Sequence, residues 1–495
     1  MNQKHSIRDD FTLLAMLLIP VGVAINFIGG QLAQILKLPV FLDTIGTILT
    51  AMLCGPWVGA VAGGLTNVFT GIANPVNMAF IPVNIVIGLA TGLLAKCNMF
   101  STWWKCMISI IVRTAVGICS SIPIIVIVYG GVTGATGASL ITATLLASGA
   151  NIWATAFSTE GVIQMVDAFL SFGICWAVIK LMPQRTLVRF KYGMNYIKGH
   201  KITNKDNNQS YQYFMDSKKK IRYQKQDFVI PKGSYLEKIQ IHKNNKLAGL
   251  YPGVKFLVVI LYSISTLILS TIRITTYQLP LFMIPWFFIV LILCVCSGEM
   301  EKCLKSLKAV VVVAIVVFIV QTFIIQNGDV IWKYGFLQIS SKGLQSGMSL
   351  PFAILDVAGI FVWLFQTTSN KEIEIALEEA NINYKAAFVF ASSLSMINIL
   401  NGNSKTVMNA QMARGIETKG NLFKRAKAFF STLAPLILSA VVNAEERVLT
   451  LEARGFSTQC EKTHLVKLEK SGLEKPIEII SIVMFIGIVV WRILL

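Results

Sequence analysis

Apolar residues run on for the length of a membrane span eleven times along the chain, near 11–32, 43–65, 76–96, 105–129, 137–157, 159–181, 253–272, 279–297, 308–326, 347–367 and 477–495. Each run reads as a spanning helix. The first starts at Phe11 behind Lys4 and Arg8 and continues to about Ala33 with no small-residue cleavage site, so it is expected to stay as a span rather than be removed as a signal peptide. Between Asn370 and about Glu474 the pattern changes. Charges and amides there recur among apolar residues, as in KEIEIALEEA and VVNAEERVLTLEARG, which predicts helices with one wet and one apolar face lying at or below the membrane surface.

The composition agrees with the pattern. Hydrophobic residues make up 54% of the 495 positions and charged residues only 14%, and the mean hydropathy is +0.65, more apolar surface than one soluble core can bury. The formal net charge of +19 is concentrated beside the spans. Fifteen Lys and Arg stand against four acids between Gln184 and Leu250, which marks that segment as a cytoplasmic linker facing anionic lipid. No recognition motif accompanies it, so nucleic acid is not expected as a partner. Six spans before the linker return the chain to the side of its basic N-terminus. The organisation expected is therefore a membrane domain over 1–183, a basic linker over 184–250, and a second membrane domain over 251–495 whose amphipathic helices occupy about 371–456.

Chemistry-bearing side chains are few. The nine cysteines lack the paired spacings of a metal site, and Cys294 and Cys296, two apart on a helix, face away from each other. The four histidines lie outside the apolar runs, and no nucleophile and base form a visible set. No G-x-x-x-x-G-K-[ST] phosphate loop exists in the chain, so it does not hydrolyse ATP by that chemistry. Neither a cofactor nor a metal is expected.

Two amphipathic helices end alike, with Ala413, Arg414 and Gly415 and with Ala453, Arg454 and Gly455. Glycine just past a helix suits the left-handed end position, and arginine in the last turn complements the negative end of the helix dipole. One such ending is a cap; two with the same alanine suggest docking, since alanine permits close approach and arginine supplies a multi-donor fork. Arg447 and Arg454 are seven apart, as are Glu445 and Glu452, so each pair shares a face. From about Leu250 onward, through YGFLQISSKGLQSG, TTSNKEIEIALEEANINYKAAFVFASSLSMINIL and the two Ala-Arg-Gly endings, the chain resembles the T component of energy-coupling-factor (ECF) vitamin transporters. That resemblance implies that each ending docks on one of two ABC-type ATPase subunits. The first helix, NGNSKTVMNAQMARG, is richer in amides and poorer in acids than the family pattern.

The stretch LPVFLDTIGTILTAMLCGPWVGAVAGGLTNVFTGIANPVN resembles S components, the cargo-capturing subunits of the same transporters. Glu160, Gln164 and Asp167 share one face of the sixth run, and ionisable groups at membrane depth line a cavity or pair with a partner. Gln164 and Asp167 are candidates for cargo contact or for bonds between helices, while Glu160 could equally snorkel to the membrane edge. Asn67, Asn74, Asn77 and Asn84 surround Pro75 and Pro82, where broken backbone with amides suits either a polar ligand or helix-to-helix bonding. Asp43 is a candidate N-cap and Thr44 a candidate lid contact. Ala15, Gly22 and Gly29, spaced by seven, form a close-packing face that serves either an S–T interface or packing within the first half.

The fold class expected is thus an all-α integral membrane protein of the cell membrane, a six-helix S-like bundle followed by a T-like domain with long cytoplasmic coupling helices. The resemblance implies import of a vitamin, a vitamin precursor or a nucleobase-like small molecule driven by two separate ATPases. The alternative from the residues alone is an ion-coupled secondary transporter with Asp167 and Glu160 as coupling sites, although the halves show no inverted repeat.

Overall fold

A computed structural model describes residues 10–36, 38, 40–73, 75–127, 142, 145, 151–197, 239–240, 245, 247–270, 280–324, 329–334, 337–380, 382–418, 420–458, 466–467 and 471–494. The chain is all-α, with nine helices among the described residues long and apolar enough to cross a membrane. The first half contains α1 (Leu13–Ile35), α2 (Ile45–Cys54), α3 (Pro56–Ala73), α4 (Ile81–Lys96), α5 (Trp103–Ile127) and α6 (Ile152–Leu181). The Thr12 hydroxyl caps α1 by accepting from the Ala15 amide at 3.2 Å.

The apolar run near 43–65 is two helices, not one. Gly55 takes φ +107° and Pro56 follows as the first residue of α3, so the hydrogen-bond ladder stops there although the hydrophobicity does not. The next run likewise opens with a 3-10 turn, Pro75–Phe80, before α4. Most of the run near 137–157 lies outside the described residues; its end from Ile152 belongs to α6, a helix of 30 residues. The α1–α2 contact is backbone to backbone: a Cβ on Gly46 would overlap the Gly22 carbonyl.

The second half begins with α7 (Pro252–Leu269), α8 (Met283–Cys296), α9 (Met300–Ile324) and α10 (Ser341–Thr367), which form its own apolar core around Trp363, Val290 and Ile360. A hairpin of β2 (Val330–Tyr334) and β3 (Leu337–Ser340) precedes α10, while the two-residue strands β1 (Ile239–Gln240) and β4 (Val466–Lys467) pair in parallel. Next come α11 (Asn370–Glu379), α12 (Tyr384–Ala413), α13 (Leu422–Ala453) and α14 (Glu474–Leu494). Ser369 and Glu372 form a reciprocal capping box at the start of α11. Cys294 is buried and Cys296 exposed, as their spacing requires.

The two halves share one core. Helix α13 buries Ala428, Phe429, Thr432, Leu433, Leu436, Ile437, Ala440, Val441 and Ala444, a stripe with the 3.6-residue period. That stripe and the buried side of α12 lie against α1, which is buried on nearly every side. A smaller contact joins Val76 of the 3-10 turn to Val310 and Val317 of α9 and to Ile354 and Ala358 of α10.

Candidate functional site

The two Ala-Arg-Gly endings adopt the same backbone geometry. Gly415 and Gly455 take φ +85° and +76°, the left-handed region that glycine enters at least cost. At the first, the Gly415 amide donates to the Met412 carbonyl at 3.0 Å and the Ile416 amide to Gln411 at 3.1 Å; at the second, Gly455 donates to Glu452 and Phe456 to Leu451, both at 3.0 Å. Both are Schellman closures, which satisfy the last carbonyls and turn the chain sharply away. Arg414 and Arg454 hold the C-cap position, exposed, and neither has an ion pair among the described residues. Ala413 and Ala453 are exposed beside them.

Each tip is braced from behind. Gln411, one of the amides unusual for the first helix, donates to the Ser431 carbonyl of α13 at 3.0 Å. Phe456 packs against Tyr384 and Phe388, and the Tyr384 hydroxyl donates to the Phe456 carbonyl at 3.2 Å. The start of α12 therefore meets the end of α13. The first tip is braced beside the third turn of α13 at Ser431 and the second closes that helix at Arg454, 23 residues or about 35 Å further along.

A second polar cluster is buried in the first half. Asp167 accepts from the Leu42 amide at 2.7 Å and from the Thr44 hydroxyl at 3.4 Å, and pairs with Arg113 at 3.1 Å. Arg113 also donates to Thr44 at 2.9 Å and to the Gln164 side chain at 3.1 Å. The side chains of Arg113 and Asp167 are only 1% and 2% exposed. The structure thus brings Thr44, Gln164 and Asp167 together around an arginine that the pattern of runs had not singled out. Leu42, at φ +50° and fully buried, holds the loop before α2 against this cluster. Thr44, not Asp43, occupies the N-cap position of α2. Burial raises the Asp43 carboxyl to about 6, with the Asp167 charge pushing the same way and Arg113 opposing.

The asparagines divide. Asn84 donates to Asn67 at 2.7 Å across α3 and α4, and both are buried. Asn77 is half-buried on the 3-10 turn, and Asn74 lies outside the described residues. Glu160 is buried at 7% exposure, although the sequence left it equally suited to the membrane edge. Asn26, which hydrophobicity hid inside α1, ties three helices: it donates to Thr47 at 2.8 Å and Thr66 at 2.9 Å and accepts from the Gly46 and Thr47 amides.

Residues 243–465 match the family model for the cobalt transport protein CbiQ, and residues 14–181 match that for the substrate-specific component of ECF transporters. This chain is an ECF transporter S component fused to a T component. The second half is similar to the energy-coupling factor transporter transmembrane protein EcfT of Bacillus subtilis (strain 168), 28% identical over 191 residues, 37% of this chain and 72% of that protein. The corresponding protein of Brevibacillus brevis is 28% identical over 198 residues, 38% of this chain and 75% of its own length, and that of Listeria innocua is 27% identical over 197 residues, with 38% and 74% covered. The fused ECF chain is a multi-pass protein of the cell membrane with a role in transport.

At the two glycines of the seven-spaced face of α1, the close neighbours lie within the first half. A Cβ on Gly22 would lie 2.6 Å from Thr50 Cγ2, and one on Gly29 would overlap the Leu42 carbonyl, so these glycines close α1 on α2 and its leading loop inside the S half. Ala15 is buried on the same helix. Helix α1 also packs against α12 and α13 of the T half through the shared apolar core.

Proposed function

We propose that the fused chain is the membrane part of an ECF importer, in which Ala413, Arg414 and Gly415 dock one ABC-type ATPase subunit and Ala453, Arg454 and Gly455 a second. The observation carrying this reading is the pair of matching Schellman ends, each presenting an exposed arginine, set about 35 Å of helix apart. That separation suits two distinct grooves rather than one. ATP-driven movement of the tips passes along α12 and α13 to α1, and so reorients the S half.

Cargo is a vitamin, vitamin precursor or nucleobase-like molecule held in the S half, with Thr44, Asn67, Asn74, Asn77, Asn84, Gln164 and Asp167 as the candidate contacts. Arg113 joins them through its bonds to Thr44, Gln164 and Asp167. An ion-coupled mechanism is disfavoured, because Asp167 is already neutralised by a buried guanidinium. Arg414→Ala with Arg454→Ala should abolish co-purification of the neighbouring ATPases and ATP-driven uptake, while mass spectrometry still finds the same small molecule retained by the S half. Undiminished uptake in that variant would refute the docking role.

A further inference from the structure

The second coupling helix holds the S half at its first turn and again about two turns before its end, by polar contacts that no apolar stripe requires. At one end, Arg425 on the first turn of α13 donates to the Leu36 carbonyl at 3.1 Å. Leu36 is the C-cap of α1, where carbonyls carry the negative end of the helix dipole, so a guanidinium is the matched group. Further along, Glu445 accepts from the Thr186 hydroxyl at 3.3 Å and faces the Arg189 guanidinium at 3.9 Å. Glu445 Oε1 is buried without a partner, so a closer approach of Arg189 would satisfy it.

Thr186 and Arg189 belong to the start of the basic linker, and this part of the linker is folded onto the S half. Residues 184–187 form one helical turn. Lys191 pairs with Asp10 just ahead of α1, the Tyr192 amide donates to the Leu53 carbonyl at 3.1 Å, and the Tyr196 hydroxyl donates to Met52 at 3.2 Å. Residues 184–197 are therefore a strap on the S half at the N-terminal end of α1, carrying two groups that reach α13.

The lengths agree with this arrangement. From Arg425 to Glu445 is 20 residues of helix, about 30 Å, and α1 with its 23 residues is about 35 Å long. With Leu36 at one clamp and the strap beside Asp10 at the other, α13 runs antiparallel to α1 with the apolar stripe between the clamps. Such a stripe repeats every turn and on its own tolerates a slip of one turn, about 5.4 Å. The charged ends do not.

We propose that Arg425 and Glu445 are register pins that fix where the S half sits along the second coupling helix, and that the strap 184–197, not the linker as a passive tether, makes this S half the dedicated partner of its own T half. This builds on the S–T reading but not on transport or on ATPase docking, so its test needs neither.

The test is photocrosslinking of the full chain in membranes with p-benzoylphenylalanine in place of Val188, an exposed strap residue between Thr186 and Arg189. The attachment point on α13 is mapped by mass spectrometry. In the otherwise unchanged chain, crosslinks should fall within one turn of Glu445. Arg425→Ala with Glu445→Ala should spread them by a turn or more, or lower their yield about fivefold. Restoring opposite charge with Arg189→Glu and Glu445→Arg should return them to one turn; this swap, together with Arg425→Lys, also serves as the folded control. Crosslinks that stay within one turn in the double alanine variant, or a charge swap that behaves like Glu445→Arg alone, would overturn the proposal.

Discussion

The Arg113–Asp167 pair makes a prediction whose sign separates it from ordinary side-chain loss. Both side chains are almost wholly buried, 3.1 Å apart, and Asp167 also holds the Leu42 amide. Asp167→Leu leaves a buried guanidinium without its counter-charge, a loss of about 3–5 kcal/mol for breaking a buried pair from one side. It also orphans the Leu42 amide, at a further cost of about 1–3 kcal/mol. Arg113→Met leaves a buried carboxylate that keeps Leu42 and Thr44, so its cost lies near the lower end, about 3 kcal/mol. The double variant removes both charges and keeps mainly the orphaned amide, about 1–3 kcal/mol. It should therefore be more stable than Asp167→Leu alone. Thermal unfolding of the four proteins in one detergent closes the cycle. A double variant that loses the sum of its singles would refute the claim that the two groups neutralise each other. A double variant that recovers stability but retains no small molecule would place the pair in the cargo site as well.

Three further outcomes follow from particular contacts. Gly415→Ala or Gly455→Ala meets no steric obstacle closer than ordinary contact, so each should cost only the left-handed backbone penalty, about 1 kcal/mol, and fray the tip; hydrogen exchange should rise at Ile416 or Phe456 and not at the helix middles. Asn67→Ala with Asn84→Ala breaks the 2.7 Å bond between them and should lower both thermal stability and small-molecule retention; unchanged retention would remove the two from the candidate cargo contacts and leave them as a bond between helices. The Asp43 carboxyl, raised from 3.8 to about 6, binds its proton more tightly in the fold than in the unfolded chain. Stability should thus rise as pH falls from 7 towards 4, and Asp43→Asn should flatten that dependence in pH-resolved melting curves.

The coupling ends could be read from the chain because their information is local. Glycine at a helix end answers a backbone requirement that the neighbouring residues declare, and the predicted left-handed turns occur at both positions. The break at Gly55–Pro56 does not show in the run of hydrophobicity near 43–65, because apolar residues continue through it; the Gly-Pro-Trp turn that the resemblance to S components implies there is the signal that marks it. Arg113 was hidden for a different reason. It sits singly in the run SIIVRTAVG, and its partner lies 54 residues away, a distance no spacing rule spans. The seven-residue spacing of Gly22 and Gly29 correctly marked a face of close approach, but spacing carries no label for what approaches. Only the packed structure shows that α2 and its leading loop lie against the two glycines.

The envelopment of α1 has a bearing on how the protein is made. Ribosomes release the first hydrophobic segment into lipid long before the segments that will surround it exist. Translation at roughly 5–20 residues per second must add about 400 more residues before Ala444 emerges, a wait of roughly 20–80 s. During that interval the flank of α1 destined for α12 and α13 has only acyl chains, insertase or chaperone for company. The covering of its most central helix therefore comes late in synthesis, and a nascent chain stalled before residue 384 should be the form most prone to quality-control proteolysis.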